Sequence, residues 1–156
     1  MSQRTARSRI ELGATPEVAS EHVEQKCLFE MMARHFGRWP ELNFAFSVPN
    51  GVWYGGKPTP QRFALIAKMK REGMKNGVPD VVVPIVVHAG ARVLPGLYLE
   101  MKRRKGSKLH DHDQIAYRNH LASQGYVVET CRGWEAAWAV IVAYLESGAL
   151  ANRVAA

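Results

Sequence analysis

The stretch that most constrains this chain is Asp80-Val-Val-Val-Pro-Ile-Val-Val, in which six of eight residues are β-branched. Branching at Cβ stiffens the side chain and suits the pleated surface of a sheet, so the segment predicts a buried strand. Gly77-Val78-Pro79 leads into it as a loop. Pro84 lacks an N–H for the ladder, which predicts a bulge or an edge position near the strand's middle. His88–Pro95, with Gly90, reads as a hairpin turn, and Leu97–Arg103 as the returning strand. Side chains alternate along a strand, so Leu97, Leu99 and Met101 share one face and Tyr98, Glu100 and Lys102 the other. Pairing the two strands as a hairpin brings Asp80 and Glu100 together near the end where the first strand begins.

The other segments supply partners for this pair. Thr15-Pro16-Glu17 predicts a helix start, with a capping oxygen, Pro at the first helical position and acid in the first turn. Val23, Cys27, Leu28, Met31 and Met32 continue it at helical spacing to about His35, and Gly37 and Pro40 stop it. Leu42–Val48 alternates as a short strand. Pro49-Asn50-Gly51 turns the chain into a Gly-rich irregular loop that holds Trp53 and Tyr54. Thr59-Pro60 opens a second helix with Phe63, Leu65, Ile66 and Met69 on its apolar side, ended by Gly73. A third helix is predicted from about His112 to Gln124, with Ile115, Leu121 and Tyr117 inward, and Gly125 caps it. Tyr126–Thr130 reads as a strand and Trp134–Ser147 as a last helix, with Ala137, Trp138, Ile141, Tyr144 and Leu145 on its strongest apolar face. The class is mixed α/β (α+β), a small mixed central sheet flanked by helices. Residues 1–14 are expected to form a flexible basic arm, 15–148 a single domain and 149–156 a frayed tail.

Composition narrows the function. Apolar residues make up 47% of the 156, which excludes a disordered chain, and two cysteines cannot build a disulfide scaffold. The longest apolar run, Ala136–Leu145, is about half of the ~20 residues that cross a bilayer, so no membrane association is expected. Met1–Arg9 is basic but no apolar stretch follows it, so it does not read as a secretory signal, and the expected location is cytoplasmic. The formal charge of +7 points to a polyanionic partner, foremost nucleic acid.

Asp80, Glu100 and Lys102 can carry chemistry together. Two carboxylates converging at one point repel each other unless a hard cation lies between them, and oxygen ligands suit Mg²⁺ or Mn²⁺. Such a cation can activate water and neutralise charge on a phosphate. Lys102 beside it could orient or deprotonate that water, or stabilise a developing oxyanion. His110-Asp111-His112-Asp113 lacks the spacing of a closed zinc site and reads as a helix-capping loop. Either Asp111 or Asp113 can cap the third helix.

Pro79-Asp80 followed by Glu100-Met101-Lys102, with 19 residues between the two acids, resembles the signature of the PD-(D/E)xK restriction-endonuclease-like fold. Other blocks agree: Ser20–Gln25, Val48-Pro49-Asn50-Gly51, Gly73–Asp80, Leu97–Lys102, Gln114 with Tyr117, and Gly125–Val128. The succession resembles the VRR-NUC (virus-type replication-repair nuclease) domain in its stand-alone, phage-like form, over roughly residues 20–146. The resemblance implies metal ligation by Asp80 and Glu100, with the Met101 carbonyl as a further ligand. It implies a catalytic role for Lys102 and places Gln114 in the site. It also implies an acid from the first helix, acting through water on the metal or toward the lysine. Glu21 fits best, with Glu24 as the alternative. Asn50 would sit at the mouth. The implied function is a Mg²⁺- or Mn²⁺-dependent DNA endonuclease, a homodimer in the stand-alone form, cutting branched DNA such as four-way (Holliday) junctions.

The basic residues flank this site in sequence. Residues 57–76 hold Lys57, Arg62, Lys68, Lys70, Arg71 and Lys75 against Glu72 alone, and residues 100–108 hold Lys102, Arg103, Arg104, Lys105 and Lys108 against Glu100 alone. That arrangement suits a surface that tracks phosphates around a metal pocket. Trp53 and Tyr54 could stack on bases. The alternative is a non-catalytic nucleic-acid-binding module that keeps the fold, and the convergence of Asp80, Glu100 and Lys102 separates the two.

Overall fold

A computed structural model of the chain describes residues 19–49, 59–106 and 111–154. The expected arm at 1–14, Thr15-Pro16, the loop with Asn50, Trp53, Tyr54 and Lys57, and Lys108 and His110 lie outside the described residues.

Helix α1 spans Glu21–Arg34. It begins later than the Thr15-Pro16 pattern predicts, because the Ser20 side chain accepts a hydrogen bond from the Val23 N–H at 3.3 Å and so supplies the cap. The expected strand at Leu42–Val48 is mostly replaced by a short 3-10 helix, Pro40–Phe44. Pro40 presets the first turn, and the tight winding buries Leu42 to 2% exposure. Only Phe46–Ser47 remains as strand β1.

Helix α2 is Pro60–Arg71, capped by Thr59 as the sequence indicates. Its apolar side departs from expectation. None of its residues is buried: Phe63 is 62% exposed and Leu65 is also exposed, while Ile66 and Met69 are half-covered.

The β-branched run divides at Pro84. Strand β2 is Val81–Val83, and Val87–Ala89 forms β3, which pairs antiparallel with β4, Arg92–Leu94. Pro84 therefore ends a strand rather than bulging one, since β2 cannot continue its ladder through a residue with no N–H. The Tyr144 hydroxyl donates to the Ile85 carbonyl at 2.5 Å, which ties the segment after Pro84 to the last helix. Strand β5, Leu97–Lys102, pairs antiparallel with β2, with Val81 opposite Leu99. Strand β6, Val127–Arg132, pairs parallel with β5. The sheet order is β1-β2-β5-β6.

Helices α1 and α4, the latter Trp134–Val154, pack together and against β5. Their apolar faces meet Leu97, Leu99 and Met101, the strand face that alternation assigns to the core. α4 runs past its predicted end at Ser147. Gly148 does not stop it: a Cβ there would lie 3.0 Å from Val87 Cγ1, so the missing side chain lets the helix lie close on β3. Helix α3, His112–Ser123, lies against β6. Ile115 is 49% exposed, against expectation, and the half-buried or buried stripe is Gln114, Tyr117, Arg118 and Leu121. Those spacings of three, four and seven form one helix face, and polar groups hold two of its positions.

Candidate active site

Asp80 precedes β2 directly. The Val48 N–H donates to its carbonyl at 2.8 Å, which extends the β1–β2 ladder to this residue. Since Val81 pairs with Leu99, the next step of the register sets Asp80 opposite Glu100. Asp80 Oδ2 accepts the Met101 N–H at 2.7 Å, so its carboxylate is held over β5. Glu100 is 3% and Lys102 8% exposed, although both stand on the face that alternation leaves to polar groups. Lys102 Nζ donates to Glu100 Oε1 at 2.8 Å, and Gln114 Nε2 reaches the same oxygen at 2.5 Å. Both donors engage Oε1, so neither occupies Oε2.

The electrostatics follow from this geometry. Burial pushes the Glu100 carboxyl up to about 7, and the negative charge of Asp80 adds to the rise. Lys102 opposes it through its hydrogen bond and its charge, and Glu21 contributes a further upward push. In the protein alone, the site holds a second negative charge poorly, and a proton or a cation relieves it.

Gln114 is oriented by the start of its own helix. Asp111 Oδ1 accepts from the Gln114 N–H at 2.9 Å, and Gln114 Oε1 accepts from the Asp111 N–H at 3.2 Å. This capping box fixes which end of the amide is oxygen, and the nitrogen is left facing Glu100. Asp111, of the two candidate caps, therefore fills the role. The Asp111-x-x-Gln114 spacing is itself a capping-box pattern and was available in the sequence. Gly77, at φ +78°, packs under the same turn. A Cβ there would fall 2.4 Å from the Asp113 carbonyl carbon and 2.7 Å from the Gln114 nitrogen. Only a glycine lets the loop before Asp80 lie on the start of α3.

The two acids of α1 have different places. Glu24 is fully buried and acts between elements: its Oε1 accepts from Arg104 Nε at 2.9 Å and its Oε2 from the Trp134 N–H at 2.9 Å. Glu21 is exposed, and its charge acts on Glu100. Arg104, expected on the DNA-facing surface, also donates from Nη2 to both oxygens of Glu135 at 2.7 and 2.6 Å, so its guanidinium, though partly exposed, is engaged by two carboxylates of the chain itself. Sequence reading did not find this Glu24–Arg104–Glu135 bridge, because its members lie far apart along the chain. It also missed Arg118, which bonds Thr130 Oγ1 at 2.6 Å and so pins α3 to β6.

Lys68, Lys70, Arg71, Lys75, Arg103 and Lys105 are exposed, and Arg62 is half-buried. Among the described residues no three His, Cys, Asp or Glu side chains form a metal-binding group. The donor set for a cation would be Asp80 and Glu100 with the Met101 carbonyl, water completing the shell. Two adjacent carboxylates, one of them pushed toward protonation by burial first and by the other's charge second, fit a hard divalent ion that keeps several waters.

No protein-family model matches the chain, and no curated protein matches it significantly. A solved structure described as a "VRR_NUC domain protein" is similar at 24% identity, over 83% of this chain and 91% of that one, with a TM-score of 0.65. The chain thus has the fold of a VRR-NUC domain, a mixed α+β architecture. Among the described residues no helix is long and apolar enough to cross a membrane.

Proposed function

We propose that this chain is a Mg²⁺- or Mn²⁺-dependent DNA endonuclease that hydrolyses phosphodiester bonds. The observation that carries the reading is the placement of Asp80 and Glu100 across paired strands, with Lys102 bonded to Glu100. The fold shared with a VRR-NUC structure supports it. So do the exposed basic residues on α2 and after β5. Asp80 and Glu100 would hold the cation, which when bound supplies a water of lowered pKa and offsets charge on the phosphate. Lys102 Nζ, fixed by Glu100, presents its remaining hydrogens to the attacking water or to the phosphoryl oxygens. Gln114 donates to the same Glu100 oxygen as Lys102, so the two together hold the carboxylate in one orientation. Glu21 adds negative charge at the rim and favours cation entry.

The preferred substrate in this reading is branched DNA, including four-way junctions, cut by a homodimer. β1 is an edge of the described sheet, Phe46 within it is 50% exposed and Phe44 just before it 70% exposed, features that suit a second copy. The test is a cleavage panel of duplex, single-stranded, flap and four-way junction DNA, with Mg²⁺, Mn²⁺ or chelator. Cutting that needs metal and is abolished by Asp80→Ala, in a protein of unchanged circular dichroism, is expected. DNA binding with no cleavage under any metal would instead favour the non-catalytic module.

A further inference from the structure

A second concavity opens beside the proposed centre, between α2, α3 and the loop that joins α2 to β2. Met69, Met74, Val78 and Tyr117 give it an apolar wall around about 350 Å³. It continues into a hollow of about 380 Å³ that shares Met74, Lys75 and Tyr117 and carries Lys70 at its rim. The cleft and the centre have a common partition. Val78 stands two residues before Asp80, and Asp113, which lines the hollow, precedes Gln114. The backbone of Gly77 lies against Asp113 and Gln114 and closes that partition.

The lining specifies an occupant. A half-buried aromatic ring and two thioethers in one lining accept a flat apolar group. Two lysines, Lys70 and Lys75, and two acids, Glu72 and Asp113, line the cleft; Lys68 lies 3.8 Å from Glu72 and offsets that charge, which leaves the cations in excess and favours an anion attached to that group. A nucleobase with its phosphate has this shape and charge. The cleft is open to solvent on one side, and its volume lies within the range of small-ligand sites. A paired base inside a duplex has both faces stacked and its edge bonded, so it cannot enter without being unpaired.

We infer that this cleft holds one unpaired nucleobase next to the scissile phosphate, its ring on Tyr117 and its phosphates on Lys70 and Lys75. The placement relative to the cut rests on the nuclease reading. Base capture itself does not, and can be measured without cleavage.

The test uses the full chain in chelator, with a DNA duplex carrying one 2-aminopurine either as a single-base bulge or paired with thymine. The wild-type protein is expected to bind the bulged DNA about tenfold more tightly, the order expected for one base–aromatic stack, and to quench the bulged fluorophore. Tyr117→Ala should lose both effects while keeping its affinity for the paired duplex, and Tyr117→Phe should retain both. Equal wild-type affinity for the two DNAs, or a bulged fluorophore that does not respond, overturns the inference without reference to any variant. A parallel cleavage assay with Mg²⁺ separates the two claims. Cutting without bulge preference removes the cleft and leaves the nuclease. Tyr117-dependent bulge binding without cutting does the reverse.

Discussion

Glu100 makes the pH behaviour of this protein testable without any substrate. Its folded-state carboxyl is raised from an ordinary 4.5 to about 7, by burial first and by Asp80 second. Between those values the folded chain holds a proton that the unfolded chain has released, so stability falls as pH rises through that window. The contribution is fully present below 4.5 and lost above about 7. The bound is roughly 3 kcal/mol from the size of the shift. In chelator, the melting temperature should drop between pH 5 and pH 8, and Glu100→Gln should flatten that drop. If Asp80 and Glu100 hold a cation, added Mg²⁺ should restore stability at pH 8 and do little at pH 5, where a proton competes for the same oxygen. The acids of α1 give a second contrast. Glu24→Ala leaves the Trp134 N–H without its acceptor and Arg104 with Glu135 alone, and should cost about 1–3 kcal/mol in chemical denaturation. Glu21→Ala, at an exposed position, should change stability by less than about 0.5 kcal/mol. Its cleavage rate should nevertheless fall about tenfold, as for a group acting on a metal ligand from outside. An unchanged rate in Glu21→Ala would remove that acid from the site.

At the scale of elements, the decisive joint is between the loop before Asp80 and the start of α3. Gly77→Ala places a methyl group into the Asp113–Gln114 backbone at a positive φ, so α3 must move or the loop must lift. About 1–3 kcal/mol of stability should be lost. Cleavage should fall about tenfold as Gln114 leaves Glu100. Equal loss of rate in Gln114→Ala and in the double variant would show that the glycine acts through the glutamine. What the sequence discloses of these elements depends on how local the deciding interactions are. The pairing of β2 with β5 was legible, because alternation and turn spacing act within a hairpin's length, and it sets Asp80 opposite Glu100. The inward face of α3 was legible in part: Leu121 is buried and Tyr117 half-buried, as their spacing indicates, while Ile115 is exposed. Apolar periodicity points to Ile115, but the face is set by bonds from Gln114 and Arg118 to residues on other strands. The same holds for Arg104, which reads as one more cation in a basic run and in the fold bridges two helices. Pro84 signals an edge or a bulge locally, whereas the bonds from the Tyr144 hydroxyl of α4 to the Ile85 and Leu94 carbonyls, which hold the segment after it, are long-range and leave no local pattern.

Over the whole molecule, the charge of +7 is divided between two kinds of work. Arg104 is drawn inward and holds α1, α4 and the end of β5 together. Lys68, Lys70, Arg71 and Lys75 remain exposed, and Lys70 and Lys75 line the cleft. Cations of the second kind displace counterions from DNA, and binding then weakens linearly in log K with log salt, by about 0.9 for each phosphate neutralised on a duplex. Replacing Lys68, Lys70, Arg71 and Lys75 with glutamine should therefore lower the magnitude of that slope by about three, one contact being discounted because Lys68 lies 3.8 Å from Glu72. Affinity should fall for every DNA in the panel, while metal-dependent stabilisation at pH 8 stays unchanged. Arg104→Gln should do the opposite, leaving the slope within about one contact of wild type while lowering stability. Fluorescence anisotropy from 50 to 300 mM salt, with denaturation of the same samples, distinguishes the outcomes. A fourfold variant with an unaltered slope would mean that DNA approaches the acidic pair from another side, and the cleft beside α2 would then have no phosphate route leading to it.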